Sequence, residues 1–374
     1  MATVNHPDIL VVDAGSSRVH IKVMDGEGRE KAATHLTEPP GPGAADMIGD
    51  FLRDAPPVGA TGHRIVHGGP HLLRATVVDD DVRAELDRAA ELAPLHVPPA
   101  RAALDATRAV LANVPHVVCL DTAFHSDLPL AARAYALPRA WTERHGLRRY
   151  GFHGLSYAWA LRRAAELLSR PTDSLHVVLA HLGGGCSVSA VREGRSVDTT
   201  MGFTPLEGLV MSKRSGSVDP GLLLWLQTSA GLTAERLKKV LNHESGLLGL
   251  SGTSGDTRDL VRASILGDGE AAFALDVFAL SVRRGIASVA TSLDRIDALV
   301  FTGEIGEDQP EVREAVCSGL GVLGITGGLT EENPTHGDGA VASPSGAAVP
   351  VLVIPTGETR QVAEETRAAL KWTD

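Results

Sequence analysis

The sequence predicts an α/β protein of two domains whose core is duplicated. A chain of 374 residues is longer than one ordinary hydrophobic core and suits two domains. Short apolar runs alternate with longer amphipathic segments, which predicts strands alternating with helices. A strand, a glycine-rich turn and a second strand occur at the start of the chain and again near its middle. That echo indicates a duplicated fold.

The charge balance disfavours two classes of partner. The formal net charge is −11, which argues against nucleic acid or an anionic membrane surface. Cys119, Cys186 and Cys317 are widely spaced and odd in number, so they form neither a disulfide framework nor a zinc pattern. We find no secretory leader and no apolar run of membrane-spanning length. We therefore expect a soluble protein of the reducing cytoplasm.

The first element is a strand followed by a polar turn. Residues 8–12 form an apolar run that predicts a buried strand, and Val19, Ile21 and Val23 alternate as in a second strand. The turn between them is rich in glycine and serine, and its N–H and hydroxyl groups can hold a phosphate. An ordinary hairpin is the alternative for this stretch alone.

The remaining elements follow from the same periodicities. Helices are predicted at 80–92, 100–112, 157–168, 222–228, 234–241, 259–266, 270–293 and 358–372, and strands at 116–120, 175–182, 187–191, 195–198, 298–302 and 349–354. Asp121 follows a strand, where α/β folds place catalytic groups, although it could instead cap a turn. Three glycines, 183–185, follow another strand and indicate a tight turn or a close approach to a ligand.

Three glycine-flanked clusters carry arginine and histidine. They are Arg148–Gly154 (RRYGFHG), Gly62–Gly69 (GHRIVHGG) and Thr204–Gly216, which contains Lys213 and Arg214. Glycine lets a backbone approach a ligand closely, and arginine binds anions. The alternatives are a histidine in a glycine-rich turn and arginines in surface ion pairs. Three such clusters in one acidic chain predict a site that handles anions, with the first cluster's arginines adding positive charge.

The ordered set of motifs resembles the acetate kinase family nearly from end to end. Besides the glycine-flanked clusters, the set comprises LDTAFH (120–125), HLGGG (181–185), SVDTTMGFTPLEG (196–208), FTGEIGE (301–307) and VLVIPTGE (351–358). The resemblance implies the two-domain, actin-like fold of acetate and sugar kinases. One domain would be residues 1–123 plus 356–374, and the other 124–355. It also implies a homodimer.

The same resemblance implies an acyl kinase that transfers a phosphoryl group from ATP to acetate with Mg²⁺. Arg64 matches the arginine that grips the acyl carboxylate, Arg214 and His153 match the groups that stabilise the transferring phosphoryl, and Asp121 is a further catalytic residue. Asp13, Asp121 and Glu358 would hold Mg²⁺. An apolar pocket would consist of Val66, Leu95, Phe152 and Pro205. Nucleotide and phosphate contacts would come from Ser16, His20, His181, Gly183, Gly185, Asp256, Thr257, Arg258, Gly303, Ile305, Gly306 and Asp308.

Departures from the family pattern concentrate at the nucleotide positions. Gly184 replaces an asparagine, Thr257 an aromatic residue and Glu304 a glycine. Pyrophosphate or another nucleotide is therefore an alternative donor. Two further alternatives are a binding homologue that has lost turnover and a sugar kinase of the same fold. The retained Arg64 and Arg214 argue against lost turnover, and the GHRIVHGG motif argues against a sugar kinase.

Overall fold

The computed structural model describes residues 6–15, 19–36, 41, 43–330 and 339–372. These fall into two compact units. The first contains residues up to Ser126, Phe152–Trp159 and the segment from Gly357, and the second contains Asp127–Gly151 and Ala160–Thr356. Phe152–Trp159, from the middle of the chain, thus packs with the first unit.

Twelve strands and fourteen α-helices lie in the described part of the chain. The strands are β1 (Asp8–Ala14), β2 (Val19–Met24), β3 (Glu30–Leu36), β4 (Val58–Ile65), β5 (Thr76–Val77), β6 (His116–Leu120), β7 (His176–Leu182), β8 (Cys186–Arg192), β9 (Arg195–Thr199), β10 (Ala298–Thr302), β11 (Ala340–Val341) and β12 (Val351–Val353). The helices are α1 (Ala44–Asp54), α2 (Asp80–Ala89), α3 (Val97–Val110), α4 (Leu130–Arg133), α5 (Arg139–His145), α6 (Gly154–Leu167), α7 (Pro220–Thr228), α8 (Ala234–His243), α9 (Gly246–Ser251), α10 (Thr257–Ile265), α11 (Gly269–Ala290), α12 (Gly303–Asp308), α13 (Pro310–Cys317) and α14 (Glu358–Ala369).

The two units contain sheets of the same topology. The first has the order β3-β2-β1-β4-β6-β5 and the second the order β9-β8-β7-β10-β12-β11. In each, an antiparallel three-stranded meander leads into three parallel strands, and a short antiparallel strand closes the edge. The predicted duplication and α/β class are confirmed.

Alternate residues of β1 pack into two different cores of the first unit. Leu10 and Val12 pack on the side that also buries residues of α1, α2 and α3. Ile9 and Val11 pack on the opposite side, together with Val362 of α14. A strand covered on both faces reads as a continuous apolar run, and the run at residues 8–12 predicted this strand for that reason.

The sequence did not predict β4, because its residues are not apolar. We expected Gly62–Gly69 to be a loop, yet Gly62–Ile65 form the end of this buried strand. His63 accounts for part of the difference, since its Nε2 lies 3.0 Å from Nδ1 of the buried His116 on β6. A polar strand residue is tolerated in a core when it finds a partner there.

Gly62 allows α14 to pack closely on β4. A Cβ at this position would lie 2.3 Å from Oγ1 of Thr366 and 2.7 Å from Cγ1 of Val362. Both atoms belong to α14, which covers this face of the sheet. The helix therefore depends on the missing side chain for its distance from the strand.

Two general features complete the description. All three cysteines are buried and unpaired. Among the described residues, no helix combines the length and the apolar character needed to cross a bilayer.

Gly62→Ala is expected to destabilise the first unit by about 1–3 kcal/mol, because the added methyl group forces helix and strand apart. The measurement is the shift of the thermal unfolding midpoint. Gly269→Ala is the matched control, since a Cβ there meets no atom within 4 Å. Equal midpoints for the two variants would contradict the close approach.

Candidate active site

Four charged residues meet at the carboxyl ends of the parallel strands in the first unit. Asp13 and Arg64 are paired in the register of β1 and β4. Asp121 follows β6 directly and donates its N–H to the carbonyl of Ile65 at 3.0 Å. Glu358 is the first residue of α14. This edge of an α/β sheet is where such folds place their ligands.

Arg64 bonds to all three carboxylates. Its Nε and Nη2 donate to the two oxygens of Asp121 at 3.2 and 2.9 Å. Its Nη1 lies 3.3 Å from both oxygens of Asp13 and 3.1 Å from Oε2 of Glu358. The contact with Asp121 is therefore a bidentate fork, the strongest geometry for such a pair, whereas Asp13 and Glu358 share one nitrogen.

In this cluster, burial and the neighbouring opposite charges shift the pKa values of Arg64 and Asp121 in opposite directions. Burial alone would lower the pKa of Arg64, but Asp121, Glu358 and Asp13 raise it well above its ordinary value. Burial raises the pKa of Asp121 above its ordinary value, and Arg64 acts in the opposite direction. Three carboxylates against one guanidinium leave a surplus of negative charge, which a bound cation would neutralise.

His153 is fixed beside Asp121 through the backbone. Its φ of 59° is uncommon for a residue with a side chain, and its carbonyl accepts the N–H of Tyr157 in the first turn of α6 at 3.0 Å. The next residue, Gly154, donates its N–H to the carbonyl of Asp121 at 2.8 Å. A Cβ on Gly154 would lie 2.3 Å from that oxygen, so glycine is required for this contact.

The predicted apolar residues of the first unit differ in burial. Phe152 is 1% exposed, and its ring packs edge-on against His67 with 5.5 Å between the ring centroids. Val66 follows β4 and is half-buried. Leu95, between α2 and α3, keeps 39% of its surface exposed.

His125 holds the Phe152 segment from the other side. Its Nε2 lies 3.0 Å from the carbonyl oxygen of Phe152, and its ring is fully buried. Burial lowers the pKa of His125 to about 4, although the bond to Phe152 acts in the opposite direction. The neutral ring therefore donates to the carbonyl. Sequence reasoning did not single out this residue, although it ends the LDTAFH motif.

In the second unit, Arg214 is anchored by the TPLEG segment. Its Nη1 donates to the carbonyl of Pro205 at 2.7 Å, and burial lowers the pKa of its guanidinium. The segment is braced by Glu207, whose two oxygens bond to Arg149 at 2.7 Å and to the hydroxyl of Tyr135 at 2.5 Å. That hydroxyl also accepts the N–H of Phe203 at 2.8 Å.

The brace corrects the interpretation of the first arginine cluster. We expected Arg148 and Arg149 to supply positive charge to an anion. Arg149 instead pairs with Glu207 and also donates to the carbonyl of Thr200 at 3.1 Å. The guanidinium of Arg148 lies 5.2 Å from the centroid of the Tyr150 ring. Both arginines therefore stabilise local structure.

A cavity of the second unit collects part of the predicted nucleotide site. Asp256, Thr257, Arg258 and Ile305 line it. The residues that complete its lining were not among the predicted contacts: they are Gly184, Ser212, Lys213, Ser254, Gly255, Glu304 and Gln309. Of these, Gly184, Ser212, Lys213 and Glu304 lie within motifs or clusters that the sequence had indicated, whereas Ser254, Gly255 and Gln309 belong to none of them.

Asp256 and Arg258 form a closed pair on the wall of this cavity. Asp256 caps α10 by accepting the N–H of Arg258 at 2.8 Å, and its oxygens accept from Nε and Nη2 of Arg258 at 3.0 and 2.7 Å. The pair raises the pKa of Arg258 and lowers that of Asp256.

The turn after β10 is tied to the end of β12. Oε1 of Glu307 accepts the N–H of Gly303 at 3.0 Å and the N–H of Thr356 at 2.8 Å. One carboxylate thereby links the FTGEIGE and PTGE motifs.

The other predicted nucleotide residues do not line this cavity. His181 is the last residue but one of β7, Gly183 and Gly185 lie in the turn after this strand, and Gly306 and Asp308 lie within α12. His20 is on β2 of the first unit, where its ring lies 6.4 Å from that of His35. Ser16, with Ser17 and Arg18, lies outside the described residues.

The donor set of the first unit suits Mg²⁺, which prefers carboxylate oxygens. In the conformation described, these oxygens point at Arg64. Within the described ranges, no group of three or more histidine, cysteine, aspartate or glutamate side chains is already arranged to hold a metal ion. A metal bound to these carboxylates would have to share them with the guanidinium.

Comparison with known proteins agrees with this arrangement. The model of the acetokinase family matches residues 45–364. An acetate kinase of Synechococcus sp. is 46% identical over 317 residues, which cover 84% of this chain and 77% of the relative.

Two solved structures superpose over nearly the whole chain. The acetate kinase of Porphyromonas gingivalis has a TM-score of 0.87 at 31% identity, covering 98% of this chain and 100% of that one. A propionate kinase of Francisella tularensis has a TM-score of 0.89 at 30% identity, covering 97% and 100%.

The buried His125 makes the first unit sensitive to acid. The folded-state pKa of about 4 lies below the unfolded value of about 6.5, so the unfolded chain binds the proton more readily. The contribution of the neutral His125 to the free energy of unfolding is fully present above about pH 6.5. It falls as the pH drops toward about 4, and roughly 2 kcal/mol is lost at pH 5.

His125→Gln is therefore expected to flatten the dependence of unfolding free energy on pH between about 7 and 5. Urea denaturation at the two pH values measures it. The exposed His71→Gln is the control. A slope as steep in His125→Gln as in the parent would show that another group carries the acid sensitivity.

Proposed function

The chain belongs to the acetokinase family, and on this premise we propose that it is an acetate kinase that transfers the γ-phosphoryl group of ATP to acetate. The products are acetyl phosphate and ADP, and the reaction is reversible. The observation that carries the proposal is the Arg64 cluster, a largely buried guanidinium at the carboxyl edge of the sheet with three carboxylates around it.

Arg64 is proposed to bind the carboxylate of the acid. A guanidinium offers a planar fork that fits a carboxylate, and Asp121 holds this fork through two of its nitrogens. The third nitrogen, Nη1, divides its contacts between two carboxylates, those of Asp13 at 3.3 Å and Glu358 at 3.1 Å. It is therefore the nitrogen most readily given to a substrate.

Arg214 and His153 are proposed to stabilise the phosphoryl group during transfer. Phosphoryl transfer depends on positioning and on charge stabilisation. Within the described part of the chain, Arg214 forms no ion pair with a carboxylate, and its Nη1 bonds to a carbonyl, that of Pro205. Its charge is thus available to the anionic oxygens of the transition state. His153 would add a hydrogen-bond donor to the same oxygens.

Asp13 and Glu358, with Asp121, are proposed to hold Mg²⁺. When bound, the ion would neutralise phosphate charge and orient the donor. The protein's share is to supply carboxylate oxygens in a cluster that already has surplus negative charge. The cavity of the second unit is proposed to bind the nucleotide, with Lys213 supplying positive charge on its wall.

Acetate is the proposed acid because the side chains that the family resemblance assigns to its methyl group are apolar. Val66, Leu95, Phe152 and Pro205 would face the methyl group, and one further methylene changes binding by only about 1–3 kcal/mol. Propionate is therefore expected as a weaker substrate. The alternatives of another donor and of lost turnover are not favoured, because relatives named acetate kinase match over most of the chain.

We also propose that the protein forms a homodimer and is located in the cytoplasm. Helix α7 has no buried residue although it is apolar, with Leu224 and Trp225 62% and 57% exposed. Such a patch commonly marks a protein–protein contact. Three buried, unpaired cysteines suit a reducing compartment.

The direct test measures acetyl phosphate formation from acetate, with ATP, GTP and pyrophosphate as donors in parallel and Mg²⁺ present. We expect turnover with ATP and none with pyrophosphate. Turnover with pyrophosphate but not with ATP or GTP would contradict the assignment of ATP as the donor. Absence of turnover with all three donors would overturn the proposal.

Arg214→Ala is expected to lower kcat at least about a hundredfold, because the lost charge acts on the transition state. The fold should remain, as Arg214 bonds to a backbone carbonyl and not to a buried carboxylate. Arg236→Ala, which removes an exposed arginine paired with Glu244, is the matched control. A similar kcat in the two variants would contradict the assignment.

A further inference from the structure

The contacts of Arg64 divide unequally among its nitrogens. Asp121 takes Nε and Nη2 with an oxygen for each, at 3.2 and 2.9 Å. Asp13 and Glu358 converge on Nη1, with three oxygens between 3.1 and 3.3 Å from it. A single nitrogen has two hydrogens, so it cannot satisfy three acceptors equally well.

We propose that Arg64 couples the binding of the divalent cation to the binding of the acid substrate. In the metal-free enzyme, Nη1 serves as the counter-charge of Asp13 and Glu358. When these two carboxylates turn to the metal, Nη1 is released to the carboxylate of the acid. Asp121 keeps its two bonds to the guanidinium throughout, and each of its oxygens retains a second lone pair for the metal. The inference rests on the proposed function. It assigns Arg64 a second role, which is to pair with the carboxylates of Asp13 and Glu358 when no metal is bound.

The coupling follows from competition for the same oxygen atoms. A metal ion and Nη1 are both cations that bind Asp13 and Glu358, so each weakens the other. An acid bound to Nη1 takes the hydrogen bonds of this nitrogen from Asp13 and Glu358 and leaves those carboxylates to the metal. Because coupling free energy is reciprocal, the acid must tighten metal binding by the same factor by which the metal tightens acid binding.

Burial strengthens the effect. The side chain of Arg64 is 19% exposed, and those of Asp13, Asp121 and Glu358 are 25%, 2% and 18% exposed. Charges screened this little by water interact more strongly than exposed pairs. If the guanidinium left without a replacement, Asp13, Asp121 and Glu358 would keep unpaired negative charge away from water, which is costly in free energy. The guanidinium therefore stays until another cation replaces it.

The first experiment measures binding without nucleotide and without turnover. Mn²⁺, which accepts the same oxygen ligands, is titrated into the protein and free Mn²⁺ is followed by electron paramagnetic resonance. The titration is repeated in saturating sodium acetate and in equal sodium chloride. Acetate is expected to lower the dissociation constant of Mn²⁺ at least about fivefold relative to chloride. An unchanged constant overturns the coupling.

The second experiment separates direct contact from general charge. Glu358→Asp keeps the carboxylate but shortens the side chain by one methylene, so the 3.1 Å contact with Nη1 is lost. Acetate binding is then measured by calorimetry in metal-free buffer. We expect it to be several-fold tighter than in the parent, because Nη1 has one competitor fewer. An unchanged acetate affinity overturns the competition.

A control on the same helix is available. Glu365→Asp shortens a carboxylate of α14 that accepts from Gln361 at 3.0 Å. It should leave both dissociation constants unchanged, and a matching change in this variant would overturn a specific role for Glu358. If Glu358→Asp fails to fold, the titrations of the parent still decide.

The outcomes distinguish this inference from the proposed function. Acetyl phosphate formation with no effect of acetate on Mn²⁺ binding rejects the coupling alone. Absence of acetyl phosphate formation rejects the function itself, whatever the titrations show.

Discussion

Arg64 places a permanent positive charge inside the first unit, and the structure around it meets the demands of that charge. A guanidinium cannot lose its proton in a protein, so burial must be compensated by carboxylates. Asp13, Asp121 and Glu358 supply them from β1, from the end of β6 and from the start of α14. These segments are far apart in sequence. Their meeting point is therefore fixed by the sheet register and by the packing of α14 on β4.

The packing that brings α14 to the sheet is steric in origin. Gly62 lies two residues before Arg64, and its missing side chain lets Thr366 and Val362 approach the strand. The same helix begins with Glu358. The close packing of α14 on β4 at Gly62 thus helps to set the position of the Glu358 carboxylate at the start of the helix. Gly154 acts similarly, since it lets the backbone beside His153 touch that of Asp121.

Hydrophobic periodicity predicted the strands whose buried residues are apolar. It failed for β4, which buries polar residues. The central strands β1, β7 and β10 each contain a continuous apolar run of buried residues, and these runs are visible in the sequence. Strand β4 escaped prediction because Thr61, His63 and Arg64 are polar yet buried or nearly so. Their partners lie on other elements, and no local pattern names those partners. Arg149 was misinterpreted for the same reason, since Glu207 lies 58 positions away.

The nucleotide positions show what a motif can and cannot convey. In the sequence, Glu304 stands where the family pattern has a glycine, and this departure was one reason to keep another phosphoryl donor as an alternative. In the structure, Glu304 shares the cavity with Arg258 and Lys213. Its charge helps raise the pKa of Arg258, as do the stronger effects of Asp256. The added negative charge thus meets cations on the same wall, and it is the local sum that a phosphate experiences. A substitution can add one negative charge without reversing the potential of the site, so Glu304 is compatible with a nucleotide donor.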